Sequence, residues 1–335
     1  MSATEPSGDG GGRARIDPYR FQPKPTLTAA EVATAAGVDY PMAQRLNRAL
    51  GFPDADDSEK QFSERDVEVL KNLKTMMDVG IPLPELISVA RVYGQSLAAI
   101  ADAETRLFSN HMVAPLVDQG KSIAEIEERL EPTVKSQLDL LGDALDYVHR
   151  RHLAMALHNL TSSSTDDGGE SIAIAFVDLV DFSRLADELH GTELGELVDS
   201  FEDVVVDSTT DSRIRIVKMI GDAAMLASRD PEVVVESAQA IVSNVEKDGE
   251  LPQARAGIDY GDVLPLAGDY FGRPVNVAAR IVAFARPGTV VASDALVDAV
   301  GEDRIETSKI GTQKLKGVGR VGLFKIREPK SAEET

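Results

Sequence analysis

The sequence predicts an α+β protein in two parts: a mostly helical first half, and a second half in which strands and helices alternate. Three observations carry that expectation. Thr161 to Gly169 is composed of Ser, Thr, Asp and Gly, the make-up of a flexible connector, and the two kinds of patterning lie on either side of it. Just beyond it, Ile172-Ala173-Ile174-Ala175-Phe176-Val177 is apolar on both faces, as in a strand at the middle of a covered sheet. Ile214 to Ile220, a Gly221-Asp222 turn and Ala223 to Ala227 then read as a β-hairpin with Asp222 at its tip.

The elements follow in order. Residues 1–22 read as a disordered N-terminus, 23–160 as a helical domain, 161–170 as a linker and 171–330 as the alternating domain. Leu27 to Val38 reads as a helix closed by a Gly37 turn, and Pro41 to Leu50 as a second helix, which is helix-turn-helix grammar. Further on, Val134, Leu138, Leu141, Leu145, Val148, His152 and Met155 follow alternating steps of four and three, a short heptad seam. Such a seam packs either on its own domain or on a partner subunit. His152 occupies it, with His149 and His158 nearby, so a pH-sensitive switch stands beside the plainer reading of helix-surface residues. In the second half, helices are expected at Glu193 to Asp207, Pro231 to Lys247, Pro274 to Ala285 and Asp294 to Val300. Further strands are expected at Ala254 to Tyr260, Thr289 to Ala292 and Val321 to Ile326.

The chemistry begins with Asp178 and Asp222, each delivered by an apolar strand end. A carboxylate at the end of a covered strand is costly unless a cation offsets its desolvation. Mg²⁺ suits such a pair because it takes one or two protein carboxylates and leaves its other positions to water and substrate phosphates. Further on, Gly268-Asp269-Tyr270-Phe271-Gly272-Arg273-Pro274-Val275-Asn276-Val277-Ala278-Ala279-Arg280 places Asn276 and Arg280 four apart at the start of a helix, on one face.

The motifs Phe176-x-Asp178-Leu179-x-x-Phe182-Ser183, Lys218-x-x-Gly221-Asp222-Ala223 and Asp269-x-x-Gly272-x-x-Val275-Asn276-x-Ala278-x-Arg280, in this order, resemble the class III nucleotidyl cyclases. The resemblance runs from about Ser171 to Arg327 and implies a ferredoxin-like βαββαβ catalytic core behind a helical regulatory domain. It implies an adenylate cyclase that makes cyclic AMP and pyrophosphate from ATP, with two Mg²⁺ or Mn²⁺ ions per site held by Asp178, Leu179 and Asp222. Asn276 resembles the residue that orients the ribose, and Arg280 the one that neutralises charge on the α-phosphoryl group. Lys218 and Asp269 resemble the purine-reading pair. An ammonium and a carboxylate complement adenine, whose N1 accepts and whose 6-amino group donates, and they oppose guanine. Lys316 resembles a late phosphate-contacting lysine, a solvated lysine being the alternative. The resemblance also implies a homodimer, because the family builds its site between two catalytic domains and this chain has one. Where the family carries Gly in the first motif the chain has Asp181, which reads as a cap of the helix that follows or as an added acidic group near the metals. Residues 27–87 are similar in part to MerR-like winged-helix modules, with the wing at Asp54 to Glu59.

Other classes fare less well. Gly317-Val318-Gly319-Arg320-Val321-Gly322 matches Gly-x-Gly-x-x-Gly literally, but the chain beyond has no room for the required helix and acidic residue, so it reads as a glycine-rich hairpin. No Gly-x-x-x-x-Gly-Lys-Ser/Thr loop or His-Glu-x-x-His pair occurs, and with no cysteine there are neither disulfides nor thiolate metal sites. A net charge of −21 opposes binding to nucleic acid or anionic membranes, and the presumed wing, Asp54-Ala55-Asp56-Asp57-Ser58-Glu59, carries four carboxylates. No apolar run reaches the ~18 to 20 residues of a membrane span, and Met1 to Arg15 lacks the apolar centre of a signal peptide, so a cytoplasmic location is expected. The helical domain is expected to receive a small-molecule, lipid or proton signal. The competing functional classes are a non-catalytic nucleotide-binding signalling module and a DNA-binding regulator.

Overall fold

A computed structural model describes residues 23–54, 56–162, 170–189, 191–211, 213–301 and 303–327. They divide between two compact units, one on either side of Thr165.

The first unit is helical: α1 (Ala29–Ala36), α2 (Tyr40–Ala49), α3 (Glu64–Asp78), α4 (Leu83–Phe108), a π-helical turn (Ser109–Val113), α5 (Ala114–Asp118) and α6 (Ile123–Ser162). Capping chemistry sets the early starts. The Thr28 side chain accepts from the Glu31 amide, and Glu31 accepts from the Thr28 amide at 2.8 Å, while Ser63 and Asp66 repeat the exchange ahead of α3. Gly37, at φ 70°, ends α1 with the left-handed residue that glycine adopts most cheaply. Val32, Ala36, Leu46, Val67, Leu70, Ile87 and Ala90 form a small core. The expected wing forms no strands among the described residues; a single bridge joins Leu27 to Phe62. The connector is shorter than the sequence predicts, because α6 continues through Thr161 and Ser162 and the first strand opens at Glu170. Its remainder, like residues 1–22, lies outside the described residues.

The second unit contains β1 (Glu170–Leu179), α7 (Phe182–Glu188), α8 (Thr192–Ser208), β2 (Arg215–Ile220), β3 (Ala223–Ser228), α9 (Pro231–Asp248), β4 (Ala254–Leu266), β5 (Asp269–Phe271), α10 (Arg273–Phe284), β6 (Val290–Ser293), α11 (Asp294–Val300), β7 (Thr307–Leu315) and β8 (Gly319–Ile326). The sheet order is β2-β3-β1-β4-β6-β8-β7, with β5 paired to β4. Within it, β1, α8, β2, β3, α9 and β4 make the ferredoxin-like βαββαβ core. β1 lies between two antiparallel neighbours and is covered on both faces. Ala173, Ala175, Val177 and Leu179 pack with Phe201 and Val205 of α8 and Val234, Ala238 and Ile241 of α9. Ile172 and Ile174 point the other way, toward Met225 and Ala278 of α10. Each fully buried Ile, Val or Leu contributes about 1.5–3 kcal/mol by transfer, so this strand is a principal anchor of the unit.

Gly257 lets α10 down onto β4. A Cβ there would lie 2.2 Å from the Val282 amide nitrogen and 2.7 Å from the Ala278 carbonyl oxygen, so only glycine fits. β4 outruns its expected length, and β5 and β7 are strands not named from the sequence. β4 continues past Tyr260 to Leu266, through Gly261 and Pro265. Pro265 is tolerated because it pairs with Tyr270 in a two-stranded arm, where its missing N–H breaks no second ladder. β7 pairs with β8 across the Gly317 turn, which makes the glycine-rich segment the hairpin expected of it.

Candidate active site

Strand register assembles the carboxylates. Asp178 stands opposite Ala223 on β3 and Arg255 on β4, next to the β2–β3 turn. The Leu179 amide donates to the Asp222 carbonyl at 3.1 Å, which ties the end of β1 to that turn, and Gly221 at φ 61° supplies its left-handed step. Burial, and then the neighbouring Asp178 carboxylate, hold the Asp222 carboxyl above the usual carboxylate range. A divalent cation beside Asp178 and Asp222 would offset the burial and like charge that disfavour the Asp222 carboxylate. No cluster of three or more His, Cys, Asp or Glu suited to a metal occurs among the described residues, and Mg²⁺ does not require one.

Arg255 is the residue that sequence reasoning missed. Its Nη2 donates to Asp178 Oδ2 at 2.8 Å and its Nε to the same oxygen at 3.1 Å, a pair only a quarter exposed. The signal was a lone arginine in the apolar strand Ala254 to Ile258, but it becomes meaningful only once strand register sets it beside Asp178.

The two candidate base-reading residues also meet. The Lys218 ammonium on β2 forms an ion pair and hydrogen bond with Asp269 Oδ2 on β5, and the Tyr270 amide donates to Asp269 Oδ1 at 2.9 Å. Burial alone would raise the Asp269 carboxyl, but these hydrogen bonds and the Lys218 and Arg215 charges outweigh it and hold it below its ordinary value.

Asn276 and Arg280 stand one turn apart on the exposed side of α10, with the Asn276 amide donating to the Gly272 carbonyl at 3.1 Å. The opposite side of the helix, Val277, Ala278 and Ile281, is buried and fixes how the pair is presented. Lys316 is exposed in the β7–β8 turn, and no hydrogen bond or ion pair joins it to the other candidates. Asp181 corrects the capping expectation: it precedes α7 at the N-cap position, yet its side chain makes no cap hydrogen bond. It instead adopts a left-handed φ of 58°, a conformation suited to glycine that Asp tolerates better than most.

In the helical unit, Arg48 on the second helix of the helix-turn-helix pairs with Asp54 at 2.8 Å, and Tyr40 donates a hydrogen bond to Asp57. The acidic loop therefore engages Arg48 and Tyr40 of that helix. His149 lies edge-on to Tyr93 at 6.0 Å between ring centres, while His152 is exposed.

Residues 167–328 match the adenylate and guanylate cyclase catalytic domain, and residues 23–153 the adenylate cyclase regulatory domain. An adenylate cyclase of Streptomyces coelicolor is 32% identical over 274 residues, spanning 81% of this chain and 71% of that protein. The pH-sensitive adenylate cyclase MT1302 of Mycobacterium tuberculosis is 29% identical over 314 residues, 90% of this chain and 78% of that protein. The crystal structure of the adenylyl cyclase CyaB from P. aeruginosa covers 50% of this chain and 98% of its own, at 19% identity and a TM-score of 0.43. The chain belongs to the class III nucleotidyl cyclases. Within them it is an adenylate cyclase with a cyclase regulatory domain ahead of its catalytic domain. The partial likeness to MerR-like modules has no counterpart among these matches. Among the described residues no helix is long and apolar enough to cross a membrane.

Proposed function

We propose that this chain converts ATP to 3′,5′-cyclic AMP and pyrophosphate at two equivalent sites shared across a homodimer. The observation that carries the reading is the Lys218–Asp269 pair, which offers one donor and one acceptor on a single surface. Adenine replaces each partner of that ion pair with its own complement: N1 accepts a hydrogen bond from the ammonium and the 6-amino group donates to the carboxylate. Guanine would leave donor facing donor and acceptor facing acceptor, the strong form of discrimination. Asn276 orients the ribose, and Arg280 meets charge developing on the α-phosphoryl oxygens. Asp178 and Asp222, with Leu179 next to Asp178 at the end of β1, would hold two Mg²⁺ or Mn²⁺ ions. Such ions supply activation of the ribose 3′-hydroxyl and neutralisation of the polyphosphate when bound. Lys316 contributes to the phosphates from its turn. The helical domain controls turnover in response to a small-molecule, lipid or proton signal.

The dimer is supported by the apolar side chains left around these groups. Ile220 is 48% exposed at the end of β2, and Leu264, Leu266 and Phe271 of the arm are 60%, 49% and 50% exposed. In a two-fold arrangement Asp178 and Asp222 of one subunit face Lys218, Asp269, Asn276 and Arg280 of the other.

Complementation tests the reading. Asp222→Ala and Arg280→Ala should each be nearly inactive, because each lesion strikes both sites. In a mixed dimer one site carries both lesions and the other is intact, so co-expression should restore up to about half the activity per heterodimer. Mixing two folded variants with proven subunit exchange and no recovery would overturn the shared site.

A further inference from the structure

β4 and β5 leave the sheet as an arm, and β5 pairs with β4 alone. The arm delivers Asp269. From the edge strand β2, Arg215 reaches this arm at two points. Its Nη2 donates to the Gly268 carbonyl at 2.8 Å, and its guanidinium carbon lies 5.8 Å from the centre of the Tyr270 ring. Those residues flank Asp269 on either side. Tyr270 leans in turn on the cluster of Ile172, Ile174 and Met225, so Arg215 closes the outer side of an anchored ring.

The contacts differ in kind from that of Lys218. Lys218 holds the Asp269 carboxylate itself, and base recognition as described above must open that pair. Arg215 holds a backbone carbonyl and a ring, neither of which the base consumes. Its hold therefore persists when the Lys218 ammonium turns to the purine. The Tyr270 amide keeps Asp269 Oδ1, which leaves Oδ2 for the incoming amino group. A planar guanidinium can donate in its plane and stack on its face at once, which an ammonium cannot.

We propose that Arg215 is a specificity-determining positioning residue: it clamps the arm to β2 on both sides of Asp269, so that the carboxylate keeps its place when the base separates it from Lys218. The inference rests on the base-reading assignment of Lys218 and Asp269.

The test compares ATP with GTP in the full chain carrying Arg215→Met or Arg215→Lys, with Asp269→Asn in parallel. Where GTP turnover is too slow to measure, its inhibition constant against ATP replaces it. Arg215→Met should lower the ATP-over-GTP ratio of kcat/KM about tenfold, which is about 1.4 kcal/mol, chiefly through the KM for ATP. Arg215→Lys, which keeps the donor but stacks poorly, should fall between it and the parent, and it stands in should the Met variant not fold. If both substrates lose equally in the Arg215 variants, Arg215 is a packing residue and the proposal is overturned. Should Asp269→Asn collapse the ratio while the Arg215 variants keep it, the clamp alone fails. An unchanged ratio in Asp269→Asn would remove the base-reading assignment and the clamp together.

Discussion

On β1 of the catalytic unit Ala173, Ile174, Ala175 and Val177 are all 0% exposed, whereas on α6 of the helical unit the seam residues Leu145, Val148 and Met155 are 38%, 47% and 48% exposed. α4 repeats the contrast, with Val89, Tyr93 and Leu97 each more than 40% exposed. The catalytic unit buries its apolar surface in its own sheet and helices. The helical unit has two long helices whose apolar stripes its small core leaves uncovered, a pattern that marks surfaces made for contact. One unit is shaped to hold chemistry in fixed geometry, the other to change what it touches.

The largest effect expected on that comparison is at the carboxylates proposed to hold the metals, where function opposes stability. Asp222 has its folded pKa raised above 3.8 by burial and by Asp178. The sign follows: its contribution to stability is fully present below the ordinary carboxylate range and is lost as pH rises through the raised folded value. Asp222→Asn should therefore raise the metal-free thermal midpoint of the catalytic unit at neutral pH and flatten its pH dependence. Cyclase activity should fall by at least about 100-fold, since even outer-shell partners of metal ligands are worth 10- to 100-fold. Mn²⁺ should raise the midpoint of the parent and not of the variant. A variant that keeps activity, or gains stability from Mn²⁺ as the parent does, would remove Asp222 from the metal set.

The meeting of the two proposed metal carboxylates was legible in the sequence because each ends a strand whose apolar run is unambiguous, and the order of their motifs is specific. The arm and Arg255 were not, for one physical reason. Both depend on strand register, which hydrophobic pattern fixes only where a face is buried, and the arm's Leu264 and Leu266 are exposed. Asp181 was placed at the head of α7 correctly, but of its two readings the cap makes no side-chain hydrogen bond, because composition identifies a capping residue without revealing its φ. The heptad seam was read as packing on its own domain or on a partner. Val134, Leu138 and Leu141 are half-buried within the chain, while Leu145 onward is exposed, so packing on its own domain accounts for only the first part of the seam.

Next in size are two glycines with the same task in different units. Gly257 meets the backbone of α10, and a Cβ at Gly94 of α4 would lie 2.6 Å from the backbone carbon and oxygen of Leu50 at the end of α2. Gly257→Ala cannot be absorbed without lifting α10, so it should cost about 3 kcal/mol, the upper end for overpacking, and displace Asn276 and Arg280 enough to depress kcat. Gly94→Ala pushes on a helix end followed by a loop, which can move, so about 1–2 kcal/mol is expected with basal catalysis nearly intact. Denaturant unfolding of each variant, with kcat measured alongside, checks the ordering. Equal costs would mean that α10 is no more tightly seated than α4.

The seam itself should respond differently from any core site. Leu145→Glu with Val148→Glu lies on exposed positions, so the folded stability of the chain should move by no more than about 0.5 kcal/mol per site. Self-association should weaken about tenfold or more in sedimentation, since the charges would be buried against a second copy. Unchanged association would leave the stripe without a role in assembly.

The smallest effect belongs to two backbone positions. Asp181 at φ 58° and Ala267 at φ 54° are left-handed without being glycine. Ala267 and Gly268, at φ 81°, form the two-residue turn of the arm, where both central positions need positive φ. Alanine has no polar side chain to offset that conformation, so Ala267→Gly should relieve roughly 0.5–1 kcal/mol, net of the entropy glycine adds to the unfolded chain. For a unit of this size that is a rise of about 1–4 °C in the midpoint. Asp181→Gly should gain less, because Asp visits the left-handed region more readily than Ala. Neither change touches a group that reads the base, so the ATP-over-GTP ratio should hold in both. A loss of that ratio in Ala267→Gly, with stability gained, would mean that the stiffness of the arm and not its turn geometry alone keeps Asp269 in register with Lys218.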